Sequence, residues 1–400
     1  MRVATSQLYS QSLSRILELQ ARERDTTNQI SGGKRITQPG DDPVAATEVM
    51  QIRNRTSAAA QYDRNGGQAE SRLTQVDDVL GGVSNMLQRV HDLVLQGRSE
   101  TQGKSDRAAI AKEIREQTEV LLDLGNTRNA SGEYIFAGAT VGTRPFSADS
   151  LGNVSYNGDQ TVRELQLSQT RTIAESFTGH DALFAVRNGN GTFVSGRVAG
   201  NTGTGQISDN TLKDGSSYLA DDFRVSFTSA TTYDIIDDTL GSNVATAQTY
   251  VDGAAITFNG AEITLFGAPN GGDQFTIKPS LNQSMFKTLG TIAAVLESGY
   301  TNVTEQANFG FDIDRSLEAL DRSLEKVGAL RSTTGARLNS VSAQADVNDK
   351  IKLNMETLRS KLEDVDLAKA ITQLSQDTTA LQAAQKAFVK VQGLSLFDYL

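Results

Sequence analysis

The sequence predicts an α+β protein of several domains, in which long antiparallel terminal helices form coiled-coil or bundle domains and frame an inserted β-rich domain. Three observations predict it. Of 24 Phe and Tyr residues, 19 lie between Tyr134 and Phe311, and 13 of 35 glycines fall between Asn188 and Gln283, so the ends are aromatic-poor and the middle is rich in Gly, Thr and Phe. Both ends carry apolar residues at alternating spacings of three and four, the mark of helix–helix seams. The middle alternates apolar with small or polar residues, as half-buried strands do. A chain of 400 residues is also too long for one compact core.

Taken in order, Leu8, Leu13, Ile16, Leu17 and Leu19 give a first helix an apolar face with no nearby partner in sequence. QISGGKRITQPGDDPVAA, residues 29–46, then separates it from a second helix. Gly32 and Gly33 release the first helix. Pro39-Gly40 turns the chain, Asp41 or Asp42 caps the next helix, and Pro43 suits its first turn. Lys34 and Arg35 read as a solvated charge pair, with acids of a neighbouring subunit as the alternative partners. Leu73, Val76, Leu80, Val83, Leu87, Val90 and Val94 form an unbroken seam, and a helix from about Gly67 to Gln96 would run roughly 45 Å. Gly81 and Gly82 inside it cost about 1 kcal/mol each relative to Ala; close helix approach and a soft point are both open readings.

A further helix follows with Ser105 or Asp106 as its cap, Ile110, Ile114, Leu121 and Leu124 as its stripe, and Gly125 as its stop. GEYIFAG (132–138), VSYNGDQTVRELQLS (154–168) and RTIAESFTGHDALF (171–184) predict a small strand region. RVSFTSATTYDII (224–236) reads as strand, and ITFNGAEITLFG (256–267) as a hairpin about Asn259-Gly260, the dipeptide suited to a type I′ turn. DQFTIKPS continues the pattern, and helix returns at 283–299. Leu317, Leu320, Leu324 and Val327 start a seam that resumes in phase at Leu338 and Val341. The phase then shifts before Leu367, Ile371, Leu374, Leu381 and Phe388, which predicts a stutter or a break between two helices. The expected domains are 1–40 with 362–400, a terminal-helix domain ordered only on assembly; 41–187 with 284–361, a helical bundle with a small β region; and 188–283, the inserted β-rich domain. The termini are expected to meet at one end of an elongated molecule.

Chemistry is sparse. A net charge of −10, with no cationic cluster beyond Lys34-Arg35, argues against nucleic acid. Cysteine is absent, which excludes disulfides and thiolate chemistry. No apolar run approaches the roughly 20 residues that span a bilayer, and residues 1–20 lack the apolar block of a cleaved signal peptide. Residues 28–35 fail as a phosphate loop, because Asn28 replaces the first Gly and Arg35 the Ser or Thr after Lys34. Asp41-Asp42 and Asp364/Asp366 lack the ligand spacing of a calcium loop; a helix cap explains the latter pair. Gly203-Thr204-Gly205 starts like a dinucleotide fingerprint but has Ser208 at the third glycine. His91, on the solvent side of its heptad, and His180, in a loop between strands, read as surface histidines. No catalytic residue, cofactor or metal site is predicted.

The ends are the working parts. The segment AFVKVQGLSLFDYL, residues 387–400, places Phe388, Val391, Leu394, Leu396, Phe397 and Leu400 where chain ends are usually polar. Self-association into a tube or ring would bury them together with the face of the first helix. Here residues carry a resemblance. ISGGKRITQPGDDPVAATEVMQIRNR resembles the signature of flagellin-like axial proteins, and more closely that of the FlgL-type hook–filament junction proteins, since flagellins usually have small residues after the Asp-Asp pair where this chain has Pro43-Val44-Ala45-Ala46. MRVATSQLYSQSL, GEYIFAG and SLFDYL point the same way. The resemblance covers both helical arms and the start of the strand region. It implies a flagellin-like architecture with no enzymatic activity, in which paired terminal helices form an inner tube and the β domain faces solvent. It also implies extracellular placement at the hook–filament junction, export by the flagellar secretion apparatus, and partners comprising further copies of the chain, the hook-side junction protein, flagellin and a chaperone of the FlgN type. A minor flagellin, or a surface-binding module mounted on the helices, are the alternative readings.

Overall fold

The computed structural model describes residues 2–397, and the side chains of all of these except residues 2–6, 8, 208–210 and 391–397. The chain gathers into two compact units: Met1–Asn65 with Leu167–Gln169 and Ala343–Leu400, and Gly66–Gln166 with Thr170–Ser342. Among the described residues six α-helices account for both helical arms: α1 (Arg2–Gly32), α2 (Pro43–Arg98), α3 (Lys104–Gly125), α4 (Met285–Ser298), α5 (Val303–Glu363) and α6 (Leu367–Phe397). Helices lie at both ends of the chain and strands between, the α+β order expected.

In the first unit α1 and α6 run antiparallel. Tyr9 and Phe388 meet at 5.1 Å between ring centroids, while Thr378 of α6 donates its hydroxyl to Glu23 of α1 at 3.4 Å. The unit also holds the first turns of α2, which starts at Pro43 and not near Gly67. Its stripe there, Ala45, Val49, Ile52 and Ala59, is buried, but alanine holds two of the four positions, so it carries little apolar signal in sequence.

The second unit has two cores. In the helical one, all seven residues of the α2 seam from Leu73 to Val94 are essentially inaccessible, and the six from Val76 onward pack with Ile110, Ile114 and Leu121 of α3, Leu289 and Ile292 of α4, and Leu320 and Val327 of α5. The glycine question divides. A Cβ on Gly82 would sit 3.2 Å from Leu124, so that glycine is close approach, whereas one on Gly81 would meet only the Arg331 guanidinium at 4.0 Å. The N-cap of α3 is Gly103, not Ser105 or Asp106; Asp106 sits one turn inside and accepts the Gly103 N–H at 3.0 Å. α4 is capped by Ser284, which accepts the Lys287 N–H at 3.1 Å.

Beside this core lie short pairs: β1 (Phe146–Ala148) with β2 (Val154–Tyr156), β3 (Glu164–Gln166) with β4 (Thr172–Ala174), and β5 (Val186–Arg187) with a two-residue strand at Asn282–Gln283. The strand reading of 171–184 holds for β4 alone, and that of 132–138 and 175–184 is corrected. Tyr134 makes a single bridge to Arg128, because Asn129 accepts the Ser131 and Glu133 N–H groups and bends the backbone. Residues 175–179 are buried consecutively, which no period-2 strand achieves, and the chain turns into a short π-helix at His180–Phe184.

The second core belongs to the β region. β6 (Phe193–Arg197), β7 (Gln206–Leu212), β8 (Phe223–Ser229), β9 (Thr232–Asp237), β10 (Ser242–Thr249), β11 (Ala255–Phe258), β12 (Ala261–Phe266) and β13 (Gln274–Pro279) form two sheets, ordered β10-β9-β8-β13-β6 and β11-β12-β7. The segment 224–236, read as strand, is the β8–β9 hairpin. Phe223, Val225 and Phe227 alternate inward on β8 and share a cluster with Ile263 and Leu265 of β12. The Asn259-Gly260 turn joins β11 to β12 with φ of +42° and +78°, as a type I′ turn requires.

Candidate assembly joint and terminal hairpin

Two chain breaks, between α1 and α2 and between α5 and α6, lie side by side. Gly32 ends α1 and Gly33 takes φ +65°, the left-handed stop that glycine adopts without strain. The freed backbone then pairs with the α5–α6 break: Lys34 bridges Asp364, the Arg35 N–H donates to the Glu363 carbonyl at 2.7 Å, and the Val365 N–H donates to the Gly33 carbonyl at 3.1 Å. Each outgoing helix is capped by an aspartate. Asp42 accepts the Ala45 N–H at 3.0 Å ahead of Pro43, and Asp366 accepts the Lys369 N–H at 3.1 Å. Asp41 serves the loop, taking the Thr37 and Gln38 N–H groups at 2.9 and 2.8 Å; these bonds, that of Gln38 foremost, hold its carboxyl below the usual range.

Glu363 is the charge centre of this joint. Its side chain is only 6% exposed, and its Oε1 receives Lys34 Nζ at 2.7 Å and Arg53 Nη2 at 2.6 Å. The Lys34 hydrogen bond, then the charges of Arg53, Lys34 and Arg359, hold the Glu363 carboxyl below the usual glutamate range against the opposing effect of burial. Arg35 reaches the Leu362 carbonyl at 3.0 Å and Asp42 at 3.4 Å. Lys34 and Arg35 are thus neither a solvated pair nor unpartnered; both are engaged within the chain. Glu363 and Arg53 were not singled out in sequence, because Lys34 and Glu363 are 329 positions apart. A cleft of ≈ 430 Å³ opens beside the joint, floored by Ile36, Pro39, Val49 and Met50.

The predicted assembly residues divide by face. Ile16 of α1 and Leu374, Leu381 and Phe388 of α6 are buried or half-buried, whereas Leu13 and Leu17 are exposed, as are Leu367, Ile371 and Val389. The α6 stripe is therefore Ala370, Leu374, Asp377, Leu381 and Phe388, not one running through Leu367 and Ile371. The side chains of Leu8, Val391, Leu394, Leu396 and Phe397, and all of Leu400, lie outside the described residues. His91 is half-buried with Nε2 3.8 Å from Asp321, and His180 stands in the π-helical turn near the Tyr156 and Phe184 rings, not in a surface loop. Among the described residues no cluster of three or more metal-ligating side chains occurs, and no helix is long and apolar enough to cross a membrane.

Comparison with known proteins agrees with this architecture. Residues 3–140 match the bacterial flagellin N-terminal helical region and residues 317–400 the bacterial flagellin C-terminal helical region, while residues 197–279 match the D2-like domain of flagellar hook-associated protein 1. Flagellar hook-associated protein 3 of Escherichia coli is 26% identical over 398 residues, covering 100% of this chain and 99% of its own, and that of Salmonella typhimurium is 24% identical with the same coverage. Two solved structures are similar: FlgL of Xanthomonas campestris (28% identity, TM-score 0.69, covering 76% of this chain and 99% of its own) and the flagellar junction protein FlgL of Legionella pneumophila (27%, 0.71, 79% and 100%). Helical regions at both ends and a β region between define a flagellin-like axial protein of the bacterial flagellum. Within that family the chain belongs to the FlgL type, the hook-associated protein 3 group.

Proposed function

We propose that this chain is a structural adaptor, without catalytic function, that joins hook to filament and self-assembles as a ring through α1 and α6. The carrying observation is the exposed apolar face of the terminal hairpin, formed by Leu13, Leu17, Leu367, Ile371 and Val389, on a chain similar along its whole length to hook-associated protein 3. A second copy covering that face would remove it from water at about 25 cal/mol per Å². In this reading residues 1–40 with 362–400 form the inner tube and order fully only on assembly, 41–187 with 284–361 pack outside it, and 188–283 face solvent. Gly32, Gly33, Pro39, Asp41, Asp42 and Pro43 are the joint between the first two. The adaptor is exported by the flagellar secretion apparatus, escorted by a chaperone of the FlgN type, and meets the hook-side junction protein on one side and flagellin on the other.

Deleting residues 387–400 tests this. Electron microscopy of cells carrying only the truncated chain should show intact hooks without filaments, with the β region still folded in the purified protein; normal filaments and swimming would overturn the reading. Purified full-length chain should not polymerise alone into long filaments, as a minor flagellin would.

A further inference from the structure

The α1–α6 seam is polar at its centre. Burial follows alternating spacings of three and four on both helices, through Ser12, Ile16, Leu19, Glu23, Thr26 and Ile30 on α1 and Ala370, Leu374, Asp377, Leu381, Ala384 and Phe388 on α6. Among the described side chains of these helices four are buried: Thr26, Ala370, Asp377 and Leu381. Two of the four are polar, and one is a carboxylate only 5% exposed.

Their hydrogen bonds are mostly spent within their own helices. Asp377 accepts from Gln373 at 3.0 Å, Thr26 donates to the Arg22 carbonyl at 2.9 Å, and Thr378 to the Leu374 carbonyl at 2.8 Å. Among the described residues, the polar bridge across this layer is the 3.4 Å contact from Thr378 to Glu23. Nearby cations are engaged elsewhere: Arg22 pairs with Glu18 at 2.5 Å, and Arg24 lies 3.8 Å from Asp25. The layer thus adds little attraction while desolvating acidic groups, which weakens the pairing. It also penalises slippage. The Tyr9–Phe388 and Glu23–Thr378 contacts set a register in which Glu23 faces Asp377 and Leu19 faces Leu381. A slip of one heptad would press the Asp377 carboxylate against the apolar layer of Ile16 or Ile30.

We infer that the Glu23–Thr26–Asp377 layer is a conformational device that holds the hairpin in a single register and keeps it weak in the free subunit. Polar residues at one seam position act this way in coiled coils, fixing register at a cost in stability. The inference concerns the free chain and stands or falls apart from the ring proposal.

The chain has no cysteine, so paired substitutions report register directly. In the full-length monomer, Leu19→Cys with Leu381→Cys should oxidise readily, and Leu19→Cys with Leu374→Cys should not. Adding Asp377→Leu should allow the second pair to form as well, and should slow proteolytic trimming of α1 and α6 about tenfold, the effect of some 1.4 kcal/mol. Asp377→Asn, which keeps a polar atom in the layer, should preserve the single register. An unchanged disulfide pattern with Asp377→Leu would overturn the register role, and unchanged or faster trimming would overturn the weakening role.

Discussion

Replacing Glu363 with Gln removes the charge that gathers Lys34 and Arg53 while keeping a side chain of the same size. Two hydrogen bonds of 2.7 and 2.6 Å become neutral ones or break. A charge-assisted bond contributes about 1.5–3 kcal/mol when desolvated. Here the two cations are half exposed, with 48% and 51% of their side chains accessible, so water screens both bonds and takes up the released charges. The loss should therefore total about 1–3 kcal/mol, confined to the joint. Hydrogen exchange read by mass spectrometry is the assay: peptides holding the Arg35 and Val365 amides should exchange about 5- to 150-fold faster, while β8 and β13 amides stay unchanged. Acidification should act in the same place. The Glu363 carboxyl is depressed in the folded chain, so its stabilisation is fully present above the unfolded value of about 4.3 and is lost as pH falls through the folded one. Protection of the joint in the parent should decline across that acid range, and E363Q should lack this component. Equal exchange in E363Q and parent at neutral pH would refute the reasoning, as would acceleration spread evenly through the β region.

Two further substitutions test packing. Gly81→Ala should raise the thermal midpoint by the helix-propensity gain of about 1 kcal/mol, since only a flexible Arg331 lies near, whereas Gly82→Ala, 3.2 Å from Leu124, should gain less or lose; circular dichroism melts of the pair check this, and identical shifts would refute the distinction. Gly260→Ala should destabilise the β11–β12 hairpin by about 2 kcal/mol or more, because its Cβ would fall 2.2 Å from the Asp214 carbonyl at a positive φ; urea unfolding of the β region measures it.

What was legible in sequence was local or strongly periodic. The Asn259-Gly260 turn, the α2 seam from Leu73 to Val94, the Gly33 stop and the Asp42 cap all depend on residues within a few positions of one another. The break between α5 and α6 was visible because the heptad changes phase there. The misses share a cause: the decisive residue was small, polar or remote. The first turns of α2 bury Ala45 and Ala59, too small to register as a stripe. Reading α6 by its largest apolar residues put Leu367 and Ile371 on the seam, where burial instead selects Ala370 and Asp377. Glu363 acts chiefly through Lys34 and Arg53, partners that no short window contains.

The paired breaks also bear on mechanics. A helix followed by one covalent connector swivels freely about the single bonds of that connector. Here two connectors cross at the same level and are stitched by the Arg35–Glu363 and Val365–Gly33 hydrogen bonds, so neither can rotate without dragging the other. A twist applied to α1 is therefore shared with α6 across those two bonds and is not taken up in one connector alone.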